Sequence, residues 1–366
     1  QGLDGTTIEG SFDFIEILCR KSLETQEWLK KTAGTVFRDR LGEPIGSLWK
    51  RSNGPVDKWE DFFVKPAKYI TSNGGEILCE VTGKELIVED GRVVGVEAIM
   101  ADGTPMELFG TKGVVLATGG FGGNTAMVLE YNNYWPDLDP NILTTNRKEI
   151  VGEGIIMALA VGADLTGMGY TQLMPIGWAD TGLLAGGGGS NVMYINQEGR
   201  RFVNEYAERD VISKAAFANG TLFYELKSLG TATTPESHVV FIADTLEEMA
   251  AKLGCDPEVL KSEVERYNSF VEQGYDPDFG KTSFTDPVEP PYIARAMKPS
   301  IHHTMGGVRI DTDCRVLNKE GKIIPGLYAA GEVTGGIHAG NRVGGNAIAD
   351  IFVFGRIAGA NAAKGK

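Results

Sequence analysis

Apolar residues recur at helical spacing over residues 11–32, where Ile15, Leu18, Ser22, Thr25 and Trp28/Leu29 share one stripe and predict an amphipathic helix. A second helix is predicted over 59–72, stopped by Gly74-Gly75. Strand-like alternation follows over 76–81, 85–88 and 93–98. The turns Glu89-Asp90-Gly91 and Ala101-Asp102-Gly103 punctuate it, which predicts a small β-meander. The run 113–120 (GVVLATGG) is continuously apolar and ends in glycines, as a strand covered on both faces of a parallel sheet does. From 168 to 293 the texture changes to a glycine run at 186–189, a strand at 192–195, a polar helix around 246–271 and a proline-rich exit at 286–291. From Tyr292 the β and glycine pattern resumes through 306–310 and 326–332, and a terminal helix begins at about Gly345. The economical reading is one α/β sheet domain interrupted by an inserted lobe.

Composition narrows the function classes. A chain of 366 residues exceeds the ~100–200 of one ordinary domain, which fits two lobes. Hydrophobic residues at 42% and charged residues at 23% exclude wholesale disorder. The net charge of −14 argues against a nucleic-acid partner and against anchoring to an anionic membrane surface, while a few local arginines can still bind a small anion. Glycine, 49 residues, is about twice its usual ~7% share, and its clustering marks tight backbone approaches. The cysteines at 19, 79, 255 and 314 have no CxxC or CxxCH spacing, which disfavours zinc ribbons, iron–sulfur clusters and c-type haem. No apolar run reaches the ~18 residues of a membrane span. The opening Gln1-Gly2-Leu3-Asp4-Gly5 is neither a signal peptide nor an initiator methionine, so the true N-terminus is expected upstream, and the compartment stays open.

Three stretches could carry chemistry. In 331–347 (GEVTGGIHAGNRVGGNA) a strand ends in glycine-rich backbone and a helix begins at the second glycine pair. The N–H groups there suit an electron-rich ligand edge such as that of a reduced flavin, and Glu332 could accept from a ribose or ribityl hydroxyl. A glycine-rich hairpin with a capped helix is the plain alternative. The second stretch, Ile301-His302-His303-Thr304-Met305-Gly306-Gly307, holds two of the four histidines. Adjacent rings on a strand point apart, which disfavours a metal and leaves anion binding, flavin contact or core packing. The third, 191–210, is a strand, a Gln-Glu-Gly turn and a dense charge cluster that reads as a solvated face with ion pairs. Nothing in its spacing singles out Arg209.

Taken in order, these stretches and Ala117-Thr118-Gly119-Gly120-Phe121 resemble the flavoprotein subunits of the fumarate reductase/succinate dehydrogenase superfamily, most of all the soluble fumarate and urocanate reductase branch. The matching motifs are HHTMGG, GLY-x-AGE-x-TGG-x-H-x-x-NR-x-GGNA, RF-x-NE…RD and ATGGF, and the resemblance covers nearly the whole chain. It implies a discontinuous, Rossmann-like FAD-binding domain over 1–167 and 294–366, with an inserted α+β capping domain over 168–293. It also implies FAD as cofactor and an unsaturated carboxylic acid as substrate. Carried over by position, Arg209 matches the family's active-site acid, while His302 and Arg342 match the residues that hold the substrate carboxylate. His303, Glu332, Ala347 and Ile348 match FAD contacts, and Gly345 lies at the substrate–flavin edge. Thr118 and Gly119 of the ATGGF strand join the cofactor side, with Val81 and Glu153 as weaker candidates toward the adenosine.

The sequence departs from that pattern in three places. The G-x-G-x-x-G fingerprint of a dinucleotide-binding βαβ unit is absent. A missing N-terminal segment is therefore expected, whether cleaved, left out or encoded as a second polypeptide, and the chain alone is expected to bind FAD poorly. Where fumarate reductases carry His-Pro-Thr, this chain has Gln172-Leu173-Met174-Pro175-Ile176, with Met174 in the histidine's place. The positions of the family's proton-relay Glu and Arg fall in 184–189, which has neither. An apolar far end lined by Met174 and Trp178 is expected, favouring a monocarboxylate with an apolar or aromatic tail of the urocanate or cinnamate sort. Protons would then be resupplied by water or Tyr206. Other readings are a ketosteroid or enone reductase or dehydrogenase, and a non-catalytic electron-transfer flavoprotein subunit. The electron donor is not readable, since neither a haem motif nor an NAD site is present.

Overall fold

The computed structural model describes residues 3–5, 11–56, 58, 60–186, 189, 191–231, 234–284 and 286–365. Gln1, Gly2, Trp59 at the expected start of the second helix, and Gly187 and Gly188 of the glycine run lie outside the described residues. Two compact units divide the chain: one takes 1–136, 148–171 and 303–366, the other 137–147 and 172–302. The second unit thus ends nine residues beyond position 293, the sequence-based end of the insert, and takes a further short piece from within the first.

The first unit opens with α1 (Phe12–Ala33) and α2 (Asp61–Ser72). It continues with β1 (Val81–Glu89), β2 (Arg92–Met100), β3 (Pro105–Phe109) and β4 (Val114–Leu116), then α3 (Thr125–Tyr131). In the second unit, β5 (Leu143–Thr144) comes next. The chain returns to the first unit for α4 (Glu153–Ala160) and β6 (Leu165–Thr166). The second unit then holds β7 (Thr171–Trp178), β8 (Met193–Ile195), α5 (Arg209–Ala218), β9 (Phe223–Ser228), β10 (Val240–Ala243), α6 (Leu246–Leu253) and α7 (Pro257–Gln273). The long β11 (Tyr292–Thr304) follows, and β12 (Gly307–Val308), β13 (Arg315–Leu317), β14 (Ile323–Ala329) and α8 (Asn346–Lys364) close the first unit. Among the described residues no helix is long and apolar enough to cross a membrane.

In the first unit, α1 buries Phe14, Thr25 and Leu29, and Phe14 meets Phe354 of α8 edge-on at 5.7 Å. The sequence stripe placed Ile15 inward, but Ile15 is exposed, one helical step of about 100° from Phe14. β1, β2 and β3 form the antiparallel meander, and Asp90 and Gly91 turn the first hairpin with positive φ at both positions, the type I′ geometry that matches strand twist. The alternating residues 76–80 stay outside the strand. β4 pairs in parallel with β14, which pairs antiparallel with β13.

The second unit is built on β11, flanked by β10 and β9, with β8 beyond β9; β5 and β7 also pair with β11. α6 and α7 cover the sheet through Leu246, Met249, Leu253, Leu260, Val264 and Tyr267. They are two helices where the sequence suggested one. Gly254 ends α6 in the left-handed region, Asp256 caps α7 by accepting the Glu258 N–H, and Pro257 takes the first helical position.

The charge cluster expected on a solvated face is instead partly interior. Arg201 donates from Nε and Nη2 to the two oxygens of Glu205 at 2.7 and 2.9 Å, and from Nη2 to Asp276 at 2.6 Å. Lys281 lies 3.3 Å from Glu205 and donates to Tyr267 Oη and the Val192 carbonyl. Two cations match two carboxylates, so the charges are buried as a compensated set. Arg201→Ala would leave both carboxylates short of their main partner and is expected to cost about 3–5 kcal/mol in urea unfolding. Arg20→Ala, which removes an exposed pair with Glu16, is expected to stay within about 0.5 kcal/mol.

Candidate functional site

Each unit gathers its own part of the expected residues. In the second unit, Arg209 is the first residue of α5 and donates from Nη1 to Gln172 Oε1 at 2.9 Å. Gln172, Met174, Ile176 and Trp178 alternate along β7 and so share one face of it. Met174 is buried, and the Arg295 guanidinium lies 6.0 Å from the ring of half-buried Trp178. Arg295 is itself paired with the buried Glu225 and donates to the Ala185 carbonyl at 3.5 Å. An ion pair, Arg295 with Glu225, thus lies beside Trp178. His302 on β11 shares a hydrogen bond of 2.8 Å between Nδ1 and the Thr145 hydroxyl. Tyr206 lies against Gly189, where an added Cβ would be 3.5 Å from its ring.

In the first unit, His303, Thr304, Glu332, His338, Arg342 and Asp350 form a second cluster. Glu332 Oε1 accepts from the Thr304 N–H at 2.9 Å and from its hydroxyl at 3.2 Å, while Oε2 lies 3.7 Å from His303 Nε2. Gly120 makes this approach possible, because a Cβ there would run into Thr304 Oγ1 and lie 2.6 Å from Glu332 Oε1. Burial raises the Glu332 carboxyl above its usual range, against the opposing Thr304 hydrogen bonds and the Arg342 charge. Burial likewise pulls the Arg342 guanidinium down to about 10, against the pull of Glu332 and Asp350. Arg342 is 5% exposed.

Arg342 sits in the glycine loop that leads into α8, whose N-cap Gly345 has φ +87° and no side-chain cap. A β-carbon would be strained there, and the first-turn residues Ala347 and Ile348 sit at the positive end of a 19-residue helix. Thr118 and Gly119 follow β4, and Thr118 packs on the start of α4 so closely that Gly154 has no room for a side chain. Glu153 is the first residue of α4 and half-buried, and Val81 opens β1, which meets α4 where Met157 lies against Gly83. These features fit FAD: a glycine-backed approach, a half-buried carboxylate for hydroxyls and an uncapped helix start for an electron-rich ring edge.

A model of the FAD binding domain family matches residues 13–348. The chain belongs to this family. It is 43% identical to the NADH:acrylate oxidoreductase of Vibrio harveyi over 98% of its own length and 38% of that protein. It is 34% identical to the urocanate reductase of Eggerthella lenta over 97% of its length and 62% of that protein. In structure it resembles a flavocytochrome c3 fumarate reductase in an open conformation, with a TM-score of 0.79, 31% identity, and coverage of 97% of this chain and 64% of that one. The chain thus spans between about two fifths and two thirds of these relatives. The α/β fold with its FAD-binding domain is that of the fumarate reductase flavoproteins, and FAD is the cofactor.

Sequence reasoning missed the roles of Gln172, Thr145 and Thr304, each a partner of a residue it named, and of Asp350, the partner of His338. Asp350 was the most detectable, a lone acid among apolar residues on the terminal helix (AIADIFVF).

Because the Glu332 carboxyl is raised in the folded chain, its ionisation costs stability as pH climbs through that raised value, and the cost is absent below the ordinary carboxylate value. Glu332→Gln keeps an acceptor for Thr304 without the charge. In urea unfolding of the flavin-free chain, the variant is expected to be more stable than wild type near pH 8, with the difference vanishing towards about pH 4.

Proposed function

We propose that the protein is an FAD-dependent oxidoreductase that reduces a carbon–carbon double bond conjugated to a carboxylate. The observation that carries this reading is Arg342, a buried cation on a glycine loop at the start of α8, where a bidentate carboxylate matches its two-donor fork. In this reading Arg342 and His302 bind the substrate carboxylate and stabilise the charge that grows on its oxygens during reduction. The His302 ring is steadied by Thr145. Fixing the carboxylate also fixes which alkene carbon faces the donor.

FAD, when bound, supplies the hydride from its N5. Arg209 delivers the proton to the other alkene carbon. An arginine, with an ordinary pKa above ~12, is a poor acid unless the carbanion it protonates is strongly basic and water is excluded. Gln172 holds one guanidinium nitrogen and so orients the donor. We assign His303, Glu332, Ala347, Ile348, Thr118 and Gly119, with Val81 and Glu153, to the cofactor, and Gly345 to the edge where cofactor and substrate meet. Met174 and Trp178 line the substrate's tail.

We propose a monocarboxylate substrate with a small, apolar or aromatic tail. The names of two relatives, for acrylate and urocanate, support this choice, as does the thioether of Met174, a weak acceptor with no donor for a second carboxylate. The 168–293 insert of the sequence reading we take as the capping domain. Among the described residues β4 ends the order of its sheet, and that edge suits a further strand, which we assign to a dinucleotide-binding segment or second polypeptide that completes the FAD site. The electron donor is a separate module or partner.

Arg209→Ala is expected to lower kcat by about 10²–10⁴-fold, with the flavin spectrum and FAD content of the loaded protein unchanged. Stopped-flow reoxidation of reduced protein by acrylate, cinnamate, urocanate and fumarate reads this directly. Retention of full turnover in the variant would remove Arg209 as the acid.

A further inference from the structure

His338 lies in the loop between β14 and α8 and has no part in the reaction as assigned above. Its Nε2 lies 3.0 Å from Asp350 Oδ2. The side chains of the pair are 9% and 2% exposed, so the bond is made almost out of water. The residues are 12 apart, and their bond closes the loop that holds Arg342 and Gly345. The N-cap glycine of α8 supplies no side-chain hydrogen bond. At the helix end of the loop, Arg51 donates from Nη2 to Asn346 Oδ1 at 3.0 Å, and the Asn346 N–H donates to the Val343 carbonyl at 3.3 Å.

Two more observations bear on the pair. The His338 ring stands edge-on to His303, the imidazole beside Glu332, with 5.5 Å between centroids and 82° between planes. The second oxygen of Asp350, Oδ1, is buried and accepts no hydrogen bond from the described residues. Leaving a buried carboxylate oxygen without a donor is costly, and a hydrophobic residue at this place in α8 would avoid the cost. What the carboxylate offers in return is negative charge near Arg342.

We propose that Asp350 and His338 are positioning residues for Arg342: their hydrogen bond staples the loop shut so that the guanidinium is presented in one place, with the Asp350 carboxylate adding to the negative charge that Glu332 supplies. The proposal rests on the reading of Arg342 as the carboxylate-binding residue. A staple of this kind matters because a floppy guanidinium would lose side-chain and loop entropy each time a substrate bound, and affinity would fall accordingly.

The test uses the FAD-loaded protein and the variants Asp350→Ala, Asp350→Asn, Arg342→Lys and, as a core control on the same helix, Val353→Ala. Two readouts are taken: amide hydrogen exchange over residues 339–345, and KM and kcat for whichever of acrylate, fumarate, urocanate and cinnamate is turned over fastest. Asp350→Ala is expected to speed exchange over 339–345 about tenfold and to raise KM about tenfold, with kcat within about threefold. Asp350→Asn keeps an acceptor for His338 and is expected to restore slow exchange while recovering only part of the KM. Val353→Ala is expected to lower the melting temperature and leave both readouts as in wild type.

Unchanged exchange in Asp350→Ala overturns the staple, as does Asp350→Asn behaving like the alanine variant. A KM rise in Val353→Ala equal to that of Asp350→Ala makes the effect one of general stability and also overturns it. If Arg342→Lys leaves KM unchanged, the carboxylate role of Arg342 fails, and exchange alone then decides whether the loop is stapled. If Arg342→Lys raises KM and Asp350→Ala does not, the staple fails and the role of Arg342 stands.

Discussion

The constraint on which the rest depends is the burial of β11 along both faces. Its 13 residues are buried or half-buried throughout, so every polar side chain on it must find a partner in the protein. Arg295 takes Glu225, His302 takes Thr145, and His303 and Thr304 turn to Glu332. Successive side chains of a strand point to opposite faces, so two identical neighbours, His302 and His303, receive different surroundings by geometry alone. One meets a hydroxyl in the second unit, the other a carboxylate in the first. A shift of one residue in the pairing of β11 with β9, now Arg295 opposite Glu225, would exchange both sets of partners and leave charges buried alone.

The two charge clusters differ in how fully the cost of burial is compensated. Arg201, Glu205, Asp276 and Lys281 form a closed set, with two cations on two carboxylates and Arg201 also lying 5.0 Å from the rings of Tyr267 and Phe279. Such a set fixes one conformation, with each charge answered by an opposite one inside the protein. The cluster around Glu332 and Arg342 is shifted away from ordinary charge behaviour, the acid upward and the base downward, because burial exceeds what the neighbours return. Groups held in that state cost folding energy, which in the proposed reading a complementary ligand offsets.

How far the sequence revealed this fold depends on whether each signal was local. The Asp90-Gly91 hairpin, the stop after α2 and the start of α8 at Gly345 are written in a few neighbouring residues, and the structure has all three. β5 and β6, two residues each, exist only through pairing with distant strands, and no window of sequence could show them. β7 and β9 are buried on both faces, so the alternation that marks a half-exposed strand is missing, and Gln172 and Glu225 disguise them further. The charges at 201–205 looked solvated because their partners, Asp276 and Lys281, lie some 70 residues on. Of the candidate residues, Arg209 was legible only through family motifs, whereas Arg342 and Gly345 belong to a glycine pattern with a physical meaning of its own. The His338–Asp350 bond joins a loop to a helix across 12 residues and answers to no periodicity.

The same balance of burial against partners bears on substrate choice. Met174 is 4% exposed on a strand whose neighbours are also buried, so a group placed against it loses water and gains only dispersion. For a vinyl or aromatic tail that exchange is favourable, and sulfur contacts to an aromatic ring add to it. For a second carboxylate it is not, since the charge would be desolvated with a thioether as its neighbour. Arg295 does not change this, because its charge is already balanced by the buried Glu225. In the proposed reading, discrimination against dicarboxylates therefore comes less from lost attraction than from an unpaid desolvation, the larger of the two effects in a dry site.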